Sequence, residues 1–129
     1  MAKSFKELTV WQRSVQLSVA VYRLTAGFPR EEVYGISSQM RRASVSIASN
    51  IAEGWGRQTR RDFKAFLSIS RGSNMELQTQ LLIARELGFG EPPALDRVTA
   101  LSDEVGKMLV SFMDKLAETK QPPKDSPQV

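Results

Sequence analysis

The chain contains no cysteine and no histidine. Without cysteine there is no disulfide framework and no thiolate chemistry. Without histidine the commonest general base and the commonest metal ligand are gone. A Ser-His-Asp triad is excluded, as is a di-iron bundle site built on Glu-x-x-His. The P-loop, the G-x-G-x-x-G turn and the G-x-S-x-G elbow are also missing from the sequence. These gaps point away from an enzyme and away from any cofactor or catalytic residue. No apolar run approaches the roughly 20 residues a membrane span needs. The N-terminal "MAKSFKELTVWQRS" lacks the apolar core of a signal peptide. A soluble, cytoplasmic protein is the expectation.

What remains is a chain of 129 residues, 41% hydrophobic, with a net charge of +4. That length suits one domain, expected over residues 1–118. From Thr119 onward, "TKQPPKDSPQV" reads as a polar, Pro-rich and disordered tail of residues 119–129. The basic balance is a mild bias toward anionic partners.

Four amphipathic segments follow the helical period. The first runs from about Thr9 to Ala26, with Val10, Ser14, Leu17, Val21 and Leu24 on one face. Gly27 and Pro29 break it. The second runs from about Ile36 to Glu53, carrying Ile36, Met40, Ala43, Ile47 and Ile51. Gly54 and Gly56 are expected to end it, since glycine takes left-handed backbone readily. The third opens at "TRRD", with Thr59 as N-cap and Asp62 in a variant capping box. Phe63, Phe66, Leu67, Ser70, Asn74, Leu77, Leu81 and Ala84 track its buried face, and "ELGFG" stops it. The fourth starts at Pro92 or Pro93 and buries Leu95, Val98, Leu101, Val105, Met108, Leu109, Phe112 and Leu116. Short connections make neighbours antiparallel. The expected fold is all-α, an up-down-up-down four-helix bundle.

Small residues crowd the second helix: Ala43, Ser44, Ser46, Ala48, Ser49 and Ala52. They make a face that another helix or subunit can approach closely, and Gly72 and Ser73 suit the matching low spot. Asn50 and Glu53 on this surface, with Ser73 and Glu76 on the third helix, suggest a polar network. Glu53 and Glu76 would pair their carboxylates if the site bound metal. The structural reading, a satisfied network fixing helix register, is preferred because no histidine supports a metal site.

The stretches "FKELTVWQRSVQLSVAVYRLT", "FPREEVYGISSQMRRASVSIASNIAEGWGR" and "DFKAFLSISRGSNMELQTQL" resemble a family of bacterial four-helix-bundle proteins. These are often encoded in intervening sequences of 23S ribosomal RNA genes. The resemblance spans about Phe5 to Phe89, is most specific from Ser46 to Arg57, and has a second anchor in "GSNMEL". It implies a bundle assembled as a ring, usually a homopentamer. It also implies kinship with the accessory variability determinant of diversity-generating retroelements, a basic pentamer that binds a reverse transcriptase and its RNA. The family has no established enzymatic activity.

In an antiparallel bundle, one end collects Lys3, Lys6, Arg57, Arg60, Arg61, Lys64, Lys115, Lys120 and Lys124. Nine bases there meet six acids, against nine and eight elsewhere. Arg57, Arg60, Arg61 and Lys64 gather at the start of the third helix, where the helix dipole already favours anions. Exposed N–H groups plus arginines suit a phosphate. Pairing with Glu53, Asp62 or a neighbouring subunit is the alternative. Arg41 and Arg42 form a separate pair, suited to nucleic acid or a subunit's acid. Trp11 and Trp55 are candidate oligomer anchors, Trp55 because two flanking glycines leave it hard to bury. A local cap over the bundle end is the other reading of Trp55. The leading expectation is a non-enzymatic oligomeric scaffold that binds RNA or DNA backbone. The alternative is a protein-interaction module whose basic end meets an acidic partner such as a reverse transcriptase.

Overall fold

The computed structural model describes residues 2–118, so the segment from residue 119 lies outside the described residues. Four helices fill it: α1 (Thr9–Thr25), α2 (Ile36–Trp55), α3 (Arg60–Glu86) and α4 (Pro92–Glu118). Short 3₁₀ turns precede α1 at Phe5–Glu7 and precede α2 at Arg30–Glu32. No strand occurs among the described residues.

Each helix packs on its sequence neighbour, and α1 closes the ring against α4. The bonds between helices fix an antiparallel register. Ser44 meets Ser18 while Arg41 meets Thr25. Ser46 meets Ser73 while Ile47 meets Ser70. Asn74 meets Ser102 while Arg85 meets Asp96. The up-down-up-down bundle is therefore the observed fold.

The helical period places the apolar stripes inward. Leu17, Met40, Ile47, Leu67, Leu77 and Leu109 are fully buried. Two hydroxyls inside the core bond within their own helix. Ser14 donates to the Val10 carbonyl at 2.7 Å, and Thr25 donates to that of Val21 at 2.8 Å. Thr59 caps α3 as its sequence predicts, accepting from the Asp62 N–H at 3.0 Å. Between α3 and α4, Gly88 and Gly90 hold φ of +76° and +82°, a region that disfavours side chains. Phe28 and Phe89 close that end, their rings 5.6 Å apart.

The glycines after Glu53 behave differently from expectation. α2 continues through Gly54 to Trp55, and Gly56 keeps an ordinary right-handed φ of −76°. Gly54 is a close-approach residue. A Cβ there would lie 2.7 Å from Phe66 Cβ and 2.8 Å from Phe63 Cδ1. Gly72 is also not the matching low spot, because it is exposed and nothing lies within 4 Å of its missing Cβ. Ser73, beside it, makes the contact instead.

Two alanine substitutions should therefore have opposite signs. Gly54→Ala is expected to lower unfolding free energy by about 1–3 kcal/mol through overpacking. Gly72→Ala is expected to raise it by about 0.5–1 kcal/mol through helix propensity. Urea denaturation of both variants checks the pair.

Candidate nucleic-acid interface

The start of α3 is built by the turn that leaves α2. Trp55 ends α2, and its ring meets Phe63 edge-on at 6.0 Å. Phe63 in turn meets Phe112 of α4 edge-on at 5.3 Å. This aromatic ladder ties α2, α3 and α4 together at one end of the bundle. It also gives Trp55 a partly buried place within its own chain, as the local cap reading requires. Trp11 is likewise half-buried, edge-on to Phe5 at 5.1 Å. Both tryptophans have intramolecular partners.

The four bases on this end differ in their surroundings. Arg57 is committed. Its Nη2 lies 2.9 Å from Glu53 Oε2, and its guanidinium sits 4.7 Å above the Phe66 ring. An exposed pair of this kind contributes little stability, but it fixes where the guanidinium points. Arg60 and Arg61 are exposed, and Lys64 is half-buried. They occupy the first turn and a half of α3, beside the Thr59 cap. Positive side chains and the positive helix end thus share one corner.

Arg41 and Arg42 part company. Arg41 donates from Nε to Thr25 Oγ1 at 2.8 Å and covers the Tyr22 ring at 4.7 Å. It joins α2 to α1. Arg42 is exposed on the next face of the helix. Both lie roughly 20 Å along α2 from the α3 corner, so one small ligand does not bridge the two groups.

The polar seam between α2 and α3 runs through Ser46. Its hydroxyl lies 2.9 Å from that of Ser73, and Asn50 Nδ2 donates to both the Ser46 carbonyl and hydroxyl. Asn50 and Ser73 therefore share one network. Glu53 turns away to Arg57, and Glu76 stands exposed on α3. The two carboxylates are not brought together. Among the described residues, no three carboxylates gather to hold a metal ion.

A deeper pair lies elsewhere. Asn74 is fully buried and exchanges two bonds with α4. Its Nδ2 donates to the Ser102 carbonyl at 3.0 Å, and the Ser102 hydroxyl donates to its Oδ1 at 2.7 Å. The third-helix pattern placed Asn74 on the buried face but did not assign its partner. A polar residue at a strictly apolar register position was the available signal. Gly106 leaves room for it, since a Cβ there would lie 3.1 Å from Asn74 Nδ2.

The fold defines a small α-helical bundle whose α3 start carries Arg57, Arg60, Arg61 and Lys64. The sequence profile of the 23S rRNA-intervening sequence protein family matches residues 6–111, and the chain belongs to that family. The match extends the resemblance beyond Phe89 into α4. Among solved structures, the chain is similar to a Bacteroides thetaiotaomicron protein of unknown function from the S23 ribosomal protein family. The two are 23% identical with a TM-score of 0.74, and the alignment covers 81% of this chain and 98% of the other. At that identity the likeness establishes the fold. No curated protein matches the chain. Among the described residues, no helix is long and apolar enough to cross a membrane.

Asn74→Leu should cost about 1–3 kcal/mol, because the Ser102 hydroxyl loses its acceptor inside the core. Adding Ser102→Ala should recover part of that loss, since it removes the stranded hydroxyl while the bond to the Ser102 carbonyl stays lost. Thermal denaturation of both variants checks this.

Proposed function

We propose that this protein is a non-catalytic, oligomeric bundle that binds the phosphate backbone of RNA or DNA at its basic end. The observation that carries this reading is the α3 corner, where Arg60, Arg61 and Lys64 stand at a helix start whose own dipole favours anions. Arg57 supports the corner from its fixed place over Phe66, with Glu53 offsetting its charge. Arg42 extends the basic surface along α2. Trp55 and Phe63 are packed against each other, so bases find no stacking platform there. Contact is therefore with the backbone, and sequence reading is slight.

The homo-oligomer, a ring in this reading, draws on apolar surface. Ile69, Leu82, Ile83 and Leu87 of α3 and its C-terminal turn are between 45% and 60% exposed. Large side chains at this exposure on one helix suit burial against a second copy. A pentamer follows from the family resemblance, and repetition would multiply the charge of each corner.

A protein partner is the second reading, favoured by the same exposed apolar residues. In it the basic end meets an acidic protein, of the reverse-transcriptase kind that retroelement kinship would imply.

Fluorescence anisotropy with a short labelled RNA and its DNA counterpart tests the leading reading. Binding should weaken steeply with salt and fall at least tenfold in Arg60→Ala/Arg61→Ala/Lys64→Ala. Light scattering should return a multiple of the 14.4 kDa chain mass for both proteins. No binding at low salt by an intact oligomer would move the search to protein partners.

A further inference from the structure

Two exposed faces of the bundle differ in charge and shape. The first is centred on α1. Val19, Tyr22 and Arg23 are exposed there, and Val45 of α2 is exposed beside them. The contact between Ser18 and Ser44 brings Val19 and Val45 to the same level. Arg41 covers one side of the Tyr22 ring and still leaves that residue 45% exposed. Neither α1 nor residues 36–52 of α2 carry a carboxylate. Arg23 has no ion-pair partner among the described residues.

The second face is on α3. Ile69, Gly72, Glu76 and Ile83 follow one another at steps of three, four and seven residues, which puts them on one side of the helix. All four are exposed, and Glu76 has no ion-pair partner among the described residues. Gly72 is the anomaly. Glycine inside a helix costs about 0.5–1 kcal/mol against alanine. Gly54 repays that cost by admitting Phe63 and Phe66, but nothing lies within 4 Å of the missing Cβ of Gly72. It leaves a low point that faces outward.

The two faces match in charge and in spacing. Val19 and Arg23 are four residues apart on α1, as Gly72 and Glu76 are on α3, about 6 Å along each axis. With Arg23 at Glu76, Val19 comes over Gly72 and Ile69 comes beside Val15. The two helices are then parallel. Within the bundle, α1 and α3 already run the same way and stand at opposite corners, without an interface between them. Parallel docking between copies therefore keeps every bundle pointing in one direction, as in a ring whose axis lies along the bundles.

We propose that the α1 face of one copy docks on the α3 face of the next, with Arg23 beside Glu76 and Val19 over Gly72. The contact is heterologous, because it joins two different faces. It brings the α3 starts of all copies to the same end of the assembly. The inference rests on the homo-oligomer reading and adds which faces meet and in which direction. It does not depend on nucleic-acid binding.

The chain has no cysteine, so introduced thiols report only on their own positions. Val19→Cys, Gly72→Cys and the double variant are oxidised and separated without reductant. A disulfide requires Cα atoms within about 7 Å of each other. The double variant should give a ladder of multiples of the 14.4 kDa chain, and each single variant should stay at chain mass. Light scattering under reducing conditions should find all three as assembled as the wild type. In a second arm, Arg23→Glu should weaken association about tenfold or more, and adding Glu76→Arg should restore it. Cross-linking of Gly72→Cys alone would reveal a symmetric α3 contact and overturn the proposal. A double variant that stays at chain mass within an intact assembly would also overturn it, and the homo-oligomer reading would survive. A wild-type chain at monomer mass would remove that reading and the proposal together.

Discussion

The close approach of α2 to α3 is the contact on which the basic corner depends. These helices share the most extensive interface of the bundle. Gly54 allows it at one end by presenting no side chain to Phe63 and Phe66. Ser70 reinforces it by donating to the Ile47 carbonyl at 2.8 Å, and Ser46 meets Ser73 one turn away. Larger residues at these places would push the axes apart. At Gly54 and Ser46 the small side chains of α2 are thus a packing requirement. Ser14, Ser44, Ser70 and Ser102 are tolerated in the core because their hydroxyls have partners at hydrogen-bond distance.

From that contact the corner follows in order. Gly54 lets Phe63 and Phe66 come against α2. Phe63 then meets both Trp55 and Phe112 and so joins three helices. Phe66 offers its face to Arg57, whose other partner is Glu53. The first turn of α3 is therefore held on two sides, by an aromatic ladder and by a cation over a ring. Arg60, Arg61 and Lys64 project from a fixed platform. A phosphate meeting such a platform loses less affinity to ordering the protein than one meeting arginines on a loose loop.

Much of the fold was legible in the sequence because the apolar period repeats over four long segments. The cap at Thr59 and the glycine stop after Glu86 were also readable, since each depends on local chemistry. Gly54 was misread for a physical reason. Glycine ends helices when it supplies left-handed backbone, yet it also sits inside them where another chain segment comes close. Only the position of Phe63 and Phe66 decides between the two, and that is a tertiary fact. The same limit explains the polar network. Asn50 and Ser73 were placed by helical register, but register alone does not show that Ser46 joins them. Nor does it show that Glu53 prefers Arg57, one turn away on its own chain, to Glu76 across the groove. Arg41 looked like Arg42 in sequence, and only Thr25 and Tyr22 distinguish it.

The central claim is that the α2–α3 contact presents the α3 start as a rigid phosphate-binding corner. Hydrogen exchange read by mass spectrometry, with and without a short RNA, tests it most directly. The account predicts slow exchange through the α2–α3 contact in both states, around Ile47 and Ser70. It also predicts that added protection on RNA binding concentrates in residues 57–66. Protection appearing instead around residues 30–42, or rapid exchange through the α2–α3 contact in the free protein, would contradict it.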